Sequence, residues 1–221
     1  LTDGEQSVTL QHLLIGEVWL CAGQSNMVMP LNGFDYCPIS DSNNVIADAP
    51  NHPGIRMVTI KPTVKLSPQE YAEGSWQQPT TENAPKFSAA AYHYALTLQR
   101  TLQIPIGVIT CAWGGSRVEG WLPKEILQTY KDEDLTLIGS DKTPVYLQSM
   151  LMYNGILYPC HKYTIKGFIW YQGESNVRSS RTYAERLATM VKHWRSIWKQ
   201  GDLPFYYVET VPFACEYKED G

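Results

Sequence analysis

The sequence has little charge, no cluster of basic residues and no long apolar run. Charged residues make up 18% and hydrophobic residues 43% of the 221 residues, and the formal net charge is −4. No apolar stretch reaches the roughly 20 residues needed to span a bilayer. Because lysine and arginine are not clustered, a nucleic-acid partner is not expected. These absences favour a globular chain with a sizeable buried core.

Cysteine and histidine form no motif typical of a metal site. The sequence contains neither CxxC nor HExxH, and its five histidines are scattered. The five cysteines leave at least one thiol unpaired within the chain. Cys21 and Cys111 fall in predicted strands and are interpreted as buried, reduced thiols. One pair could form a disulfide among the three cysteines in loop-like contexts: Cys37, Cys160 and Cys215.

Strand and helix patterns alternate along the chain. Strands are predicted at 16–22, 55–60, 74–79, 105–113, 165–176 and 203–210, with one or two short strands in 1–15. The main helices are predicted after Asn83, with Pro85 in the first turn, over 144–157, and from Ser179 or Ser180 to Gly201. Shorter helices are predicted near 43–48 and after Pro123. The strongest strands are continuously apolar, which indicates a parallel sheet covered on both faces, hence a three-layer α/β sandwich.

Three of the predicted strands end in polar or glycine-rich clusters. The clusters are GQSN (23–26), GGSR (114–117) and QGESN (172–176). Because parallel strands point the same way, their carboxyl ends lie at one edge of the sheet, where ligands bind in open α/β folds. The sequence therefore predicts one shared site at this edge.

The residue types in these clusters suit acyl transfer. Ser25 follows a strand and opens a turn, so its hydroxyl is interpreted as a nucleophile with backbone N–H groups nearby. Gly115 lacks a Cβ, so its N–H can approach a developing oxyanion, and Gln172 can offer a side-chain amide.

Each of these residues also has a purely structural interpretation. Ser25 alone would be a capping serine, the 114–115 glycines a tight turn, and Gln172 an amide that holds backbone. Glu174 is interpreted either as a buried structural acid or as a group with a direct chemical role, and Asn26 is expected to fix its loop. Arg117 and Trp121 are interpreted either as ligand contacts or as an ion pair and a core indole.

The three motifs together resemble a known family. GEVWLCAGQSNM, AWGGSRVEGW and IWYQGESN, in this order over roughly 16–210, resemble the sialate O-acetylesterases and related carbohydrate acetylesterases of the SGNH-hydrolase superfamily. The resemblance implies a flavodoxin-like SGNH fold. It also implies a serine esterase that removes acetyl groups from sugars without a metal or organic cofactor.

Site residues follow from the resemblance motif by motif. Ser25 corresponds to the nucleophile, and Gly115 and Gln172 to the oxyanion donors together with the Ser25 N–H. Glu174 is a supporting residue, and the remaining candidates for support or substrate binding are Gln24, Asn26 and Arg117.

The resemblance also carries expectations about the ends of the chain and its location. Residues 1–15 resemble the tail of a preceding β-rich region, and 16–221 resemble the hydrolase domain. The family's catalytic histidine comes from a late Asp-x-x-His or Asp-x-His segment, which is expected beyond residue 221, so these residues alone are expected to be nearly inactive. An acetylated glycan is the expected partner, and by analogy a periplasmic or secreted location.

Two other functions remain open. The same chemistry would serve an acetylxylan or other polysaccharide deacetylase, and a chain without catalysis would be a carbohydrate-binding fragment. None of the five histidines lies in a strand-end cluster, so none is expected to act as the base. They are His12, His52, His93, His161 and His193.

Overall fold

Five parallel strands form the centre of the protein in a computed structural model, which describes residue 2 and residues 4–211. The strands are β1 (Glu17–Gly23), β2 (Ile55–Thr59), β3 (Ile106–Ala112), β4 (Gly167–Tyr171) and β5 (Phe205–Tyr207). Their order in the sheet is β2-β3-β1-β4-β5. The strand β1 is therefore central, with the carboxyl ends of β3 and β4 on either side.

Helices cover both faces of this sheet. They are α1 (Ser25–Val28), α2 (Ser42–Asp48), α3 (Ala89–Leu102), α4 (Lys124–Leu127) and α5 (Ser180–Trp198). Alternate residues of β1 enter the two cores, as side chains of a strand must. Leu20 and Ala22 join the core under α5, whereas Trp19 and Cys21 join the core under α3. The predicted three-layer α/β sandwich is confirmed.

Two predicted elements are wrong or shortened. The strand predicted at 74–79 is reduced to a single antiparallel bridge between Gln77 and Met57. The helix predicted over 144–157 gives a 3-10 turn at Val145–Leu147, and regular helical backbone begins only at residue 151. Gln148 is extended and Met150 has a φ of 72°, so the backbone between the two parts is not helical.

Side-chain bonds explain this break. The Gln148 carboxamide accepts from the Gly139 N–H and donates to the carbonyls of Ser140 and Thr143. These tertiary bonds hold 148 in place, and a π-helical turn at Tyr153–Leu157 continues the chain.

Helix ends differ from the predictions by a few residues. Pro85 lies in a 3-10 turn, Ala84–Lys86, and Ser88 caps α3 by accepting from the Ala91 N–H. The helix α5 ends at Trp198 because Lys199 takes the left-handed conformation, two residues before Gly201. In residues 4–15, no regular strand forms, and Ser7 makes a single bridge with Thr2.

The cysteines that the structure describes are free thiols. Cys21, Cys111 and Cys160 are buried and Cys37 is exposed. The Cys111 and Cys160 sulfurs lie 3.9 Å apart, well beyond the length of a disulfide bond. The expectation that Cys160 lies in a loop is wrong, because it belongs to a 3-10 helix within the core. Cys215 lies outside the described residues.

Candidate active site

The strand register brings the three motifs to one edge of the sheet. Gly23 of β1 is level with Ala112 of β3 and with Tyr171 of β4. Beyond these residues the Trp113 N–H donates to the Gly23 carbonyl, and the Gln24 N–H donates to the Tyr171 carbonyl, both at 3.0 Å. The predicted convergence of the three loops is confirmed.

Ser25 is the first residue of α1 and is half-buried. Its hydroxyl has no hydrogen-bond partner among the described residues. The N–H groups of Ser25 and Asn26 lie in the first turn, where a helix offers them no acceptor. The turn depends on Gly23, because a Cβ there would come within 2.1 Å of the Tyr171 carbonyl oxygen.

Gln24 and Asn26 tie the Ser25 turn to the third motif. The buried Gln24 Oε1 accepts from the N–H groups of Gly173 and Ser175, at 3.4 and 3.3 Å. Asn26 Nδ2 donates to Glu174 Oε1 at 2.6 Å. Both side chains therefore position the loop around the serine. Glu174 Oε2 is buried and has no partner among the described residues, so it can still accept a hydrogen bond.

Gly115 shapes the second motif. Its φ of +74° is a left-handed conformation, and a Cβ would lie 2.8 Å from the Tyr146 ring. Its N–H has no acceptor among the described residues, which leaves it available to a ligand oxygen.

The Gln172 side chain, predicted to donate to an oxyanion, donates to other groups of the protein. It is 2% exposed, and its Nε2 donates to the Ser116 carbonyl at 3.0 Å and to Asn176 Oδ1 at 2.8 Å. Both amide hydrogens are thus used inside the protein, while Oε1 has no partner among the described residues. The assignment of Gln172 as an oxyanion donor stays a prediction. The contacts favour a positioning role, in which it joins the second and third motifs.

Arg117 and Trp121 do not face an open cleft. The Arg117 guanidinium donates to the Leu147 carbonyl and pairs with Glu133 at 2.7 Å. The Trp121 indole is fully buried and donates to Ser116 Oγ at 3.0 Å. Of the two interpretations of this pair, the structural one fits these contacts.

A buried polar network behind the motifs escaped the sequence analysis. Asn176 is 1% exposed, accepts from the Val118 N–H at 2.9 Å, and donates to Glu119. Glu119 is fully buried and accepts from Arg186 of α5 at 2.5 Å. One signal was present: Arg186 stands four residues before Met190 and eight before Trp194, in the apolar row of α5.

Tyr183 supports the same loop from α5. Its hydroxyl donates to the Gln172 carbonyl at 2.9 Å and accepts from the Trp170 indole at 3.2 Å. Burial raises the pKa of Tyr183 to about 12, so the hydroxyl keeps its proton at neutral pH.

The histidines lie away from these loops. His52 pairs with Asp48, His161 bonds to the Tyr158 carbonyl, and His193 bonds to the Tyr153 hydroxyl. His12 lines a cavity with residues such as Gly16 and Pro105, next to the amino ends of β1 and β3, and His93 is an exposed residue of α3. None of the five has a recorded hydrogen bond to Ser25 or its neighbours among the described residues.

Two further absences hold for the described residues. Within them, no group of three His, Cys, Asp or Glu side chains is arranged to hold a metal ion. No helix in that part of the chain has the length and apolarity needed to cross a membrane.

Comparison with known proteins gives consistent matches. Residues 15–220 match the family SASA, described as carbohydrate esterase, sialic acid-specific acetylesterase. Sialate O-acetylesterases from Pongo abelii and Homo sapiens are each 27% identical over 204 residues, which is 88% of this chain and 38% of theirs. The chain thus spans less than half the length of these relatives.

Solved structures match in fold as well. A carbohydrate acetylesterase from Xanthomonas citri is 31% identical with a TM-score of 0.73, covering 87% of this chain and 40% of that one. A protein from Arabidopsis thaliana, 18% identical with a TM-score of 0.54, covers 86% of this chain and 72% of its own, and shares the fold.

Proposed function

Since this chain belongs to the SASA family of carbohydrate esterases, we propose that it forms the hydrolase domain of a serine esterase that removes O-acetyl groups from sialic acid. The family match begins at residue 15 and the sheet begins at Glu17, which supports a domain starting near residue 16. The names of the related sialate O-acetylesterases support the substrate. An acetylated glycan also suggests a periplasmic or secreted protein.

Ser25 is the nucleophile in this proposal. Its hydroxyl oxygen attacks the acetyl carbonyl carbon, the sugar oxygen leaves as the alcohol, and water then releases acetate from the acyl-enzyme. The position of Ser25 supports this role, because the residue is only half-buried and its hydroxyl is not engaged by any other described residue.

The oxyanion of the tetrahedral intermediate accepts hydrogen bonds from the N–H groups of Ser25 and Gly115. Both groups lie at the same edge of the sheet, and neither has an acceptor in the described part of the chain. Gln172 fixes the Gly115 loop by holding the Ser116 carbonyl. Removing one oxyanion donor in a hydrolase typically costs about 10²–10³ in kcat.

The general base is a histidine outside the five of this chain. The described residues that follow β5 lie beside the third motif, because Val208, Glu209 and Thr210 line one cavity with Gln172 and Gly173. This histidine can deprotonate the Ser25 hydroxyl only from hydrogen-bond distance.

The convergence of Ser25 and Gly115 at one sheet edge carries the proposal, and a serine-directed probe tests it. In the full-length protein, Ser25→Ala is expected to abolish labelling by a fluorophosphonate and to lower acetate release by at least about 10³-fold. Ser175→Ala is the matched control, because the structure records no hydrogen bond for its hydroxyl. Labelling that persists in Ser25→Ala, or is lost only in Ser175→Ala, contradicts the proposal.

A further inference from the structure

A small cavity opens beside the Ser25 turn. Neither Ser25 nor Gly115, whose N–H groups are the proposed oxyanion donors, lines it. Its volume is about 170 Å³. Its walls combine one cation, hydroxyl groups, an indole and apolar side chains, among them Lys86, Thr110, Trp113 and Val28.

The cavity belongs to the same edge of the sheet as the nucleophile. Val28 lies three residues after Ser25 on α1, so the two side chains share a helix face. On its other side the cavity reaches Gly114, next to the proposed oxyanion donor. The segment that carries Lys86 is fixed to the residues after α1, because the Leu31 N–H donates to the Phe87 carbonyl at 2.9 Å.

Two donors in this cavity lack partners. Thr110 is 3% exposed, and its hydroxyl has no hydrogen-bond partner among the described residues. A buried hydroxyl without a partner is costly, so such a group points to a ligand that completes it. Lys86 is exposed and forms no ion pair with any described residue, although it lines the cavity. An ammonium and a hydroxyl together suit an anionic oxygen group.

Lys86 is available to bind an acidic sugar, whereas Arg117, the other candidate cation, is not. Arg117 is engaged by Glu133 and the Leu147 carbonyl, so it is not available to a sugar. Lys86 is the one cationic side chain among the residues that line this cavity. Trp113 is half-buried and supplies an apolar surface against which a sugar ring can pack.

We propose that Lys86 and Thr110 bind the carboxylate of an acidic acetylated sugar while Trp113 packs against its ring. The inference rests on the proposed esterase function and identifies what selects the substrate. The volume of about 170 Å³ admits the carboxylate end of such a sugar, not the whole molecule. An exposed ammonium is partly screened, so the expected selectivity from Lys86 is about tenfold.

Acidic residues near Lys86 limit this selectivity. Lys86 also lines a neighbouring cavity with Glu73 and Glu82. Glu73 is paired with Lys61 at 2.8 Å, which leaves Glu82 as the carboxylate that competes for Lys86. The preference for an acidic sugar is therefore expected to weaken with added salt.

Two substrates that differ only in the carboxyl group test the assignment. The kcat/KM of the full-length protein is measured on O-acetylated N-acetylneuraminic acid and on its methyl ester. We expect the acid-to-ester ratio to fall about tenfold in Lys86→Met and to fall in Thr110→Val, which removes only the hydroxyl. Lys192→Met, an exposed lysine of α5, is the matched control and is expected to keep the wild-type ratio.

A ratio that is the same in wild type and Lys86→Met overturns the inference, as does an equal loss on both substrates, which is what a structural defect produces. Binding of N-acetylneuraminic acid and its methyl ester to Ser25→Ala, followed by calorimetry, gives a second readout that needs no catalysis. Selective binding of the acid by Ser25→Ala, with no acetate release by the wild-type protein, would support the carboxylate site and contradict the proposed function. Acetate release by the wild-type protein without a preference for the acid would support the esterase function and contradict the carboxylate site.

Discussion

The buried ion pair between Glu119 and Arg186 offers the sharpest test of how this site is held. Glu119 is fully buried and the Arg186 side chain is 3% exposed, with 2.5 Å between Nη1 and Oε1. Arg186 also binds Asp132, whose side chain is 60% exposed, and its guanidinium lies 4.7 Å from the centroid of the Tyr130 ring. Replacing Arg186 with Met keeps most of the side-chain volume and removes the charge.

The expected cost comes from the carboxylate that is left behind. Glu119 keeps hydrogen bonds from Asn176 and a 3.8 Å contact with the partly exposed Arg117, but it loses its buried counter-charge. Removing one partner of a buried pair typically costs about 3–5 kcal/mol, whereas the exposed Asp132 contact adds at most about 1 kcal/mol. For a chain of this size, the corresponding fall in Tm is about 6–20 °C, at 2–4 °C for each kcal/mol.

Urea unfolding followed by tryptophan fluorescence measures this cost, because Trp121 and Trp194 are buried in the same core. We expect Arg186→Met to lose about 3–5 kcal/mol. In the double variant Glu119→Gln/Arg186→Met no charge is stranded, so part of the loss is restored, with a coupling of about 0.5–3 kcal/mol. Arg181→Met, at an exposed position of α5, is the matched control.

Either of two results would refute this reasoning. The first is a loss below about 1 kcal/mol in Arg186→Met, which would place the pair among weak surface contacts. The second is additivity of the two single variants within about 0.5 kcal/mol, which would mean that no carboxylate is stranded.

Two further predictions concern the oxyanion loop and the pH dependence of stability. Gly115→Ala is expected to lower kcat about 100-fold, because φ is +74° at this position and the new Cβ would lie 2.8 Å from the Tyr146 ring. Gly114→Ala is the control, since a Cβ there has no neighbour within 4 Å. Steady-state kinetics compare the two variants, and equal losses of kcat would contradict the assignment of Gly115. Burial lowers the pKa of His193 from 6.5, so the folded state binds its proton less readily than the unfolded chain. Stability contributed by the neutral ring is therefore present above pH 6.5 and is lost as the pH falls through the folded pKa. We expect Tm to fall less between pH 7.5 and 5.5 in His193→Gln than in wild type, and an equal fall in thermal scans would argue against a role for His193.

The strands and their polar ends could be predicted because both are local patterns. The apolar runs that end at Gly23, Ala112 and Tyr171 are encoded in consecutive residues, and so are the clusters after them. Parallel strands then require those clusters to meet at one edge. The break in the helix predicted over 144–157 could not be predicted in the same way, since Gln148 is held by bonds to 139, 140 and 143 that compete with helical backbone.

The roles of individual polar side chains were also beyond local pattern. Gln172 has two amide hydrogens whatever its setting, and only the positions of the Ser116 carbonyl and Asn176 show that both are used. Arg117 is 16 residues from Glu133 in the chain, yet they form an ion pair at 2.7 Å. Such partners are brought together only by folding, and no regular spacing in the sequence indicates them.

The sequence by itself determined the α/β class, the three strand ends and the serine at the first of them, because side-chain alternation and turn residues act over a few neighbouring positions. The tertiary structure decided the strand order β2-β3-β1-β4-β5, the commitment of Gln172 and Arg117 to internal contacts, and the cavity that Lys86 lines together with Val28 of α1. The physical reason is that a hydrogen-bonding group is free or engaged only relative to partners that are distant in the chain. Their positions depend on how the whole core packs.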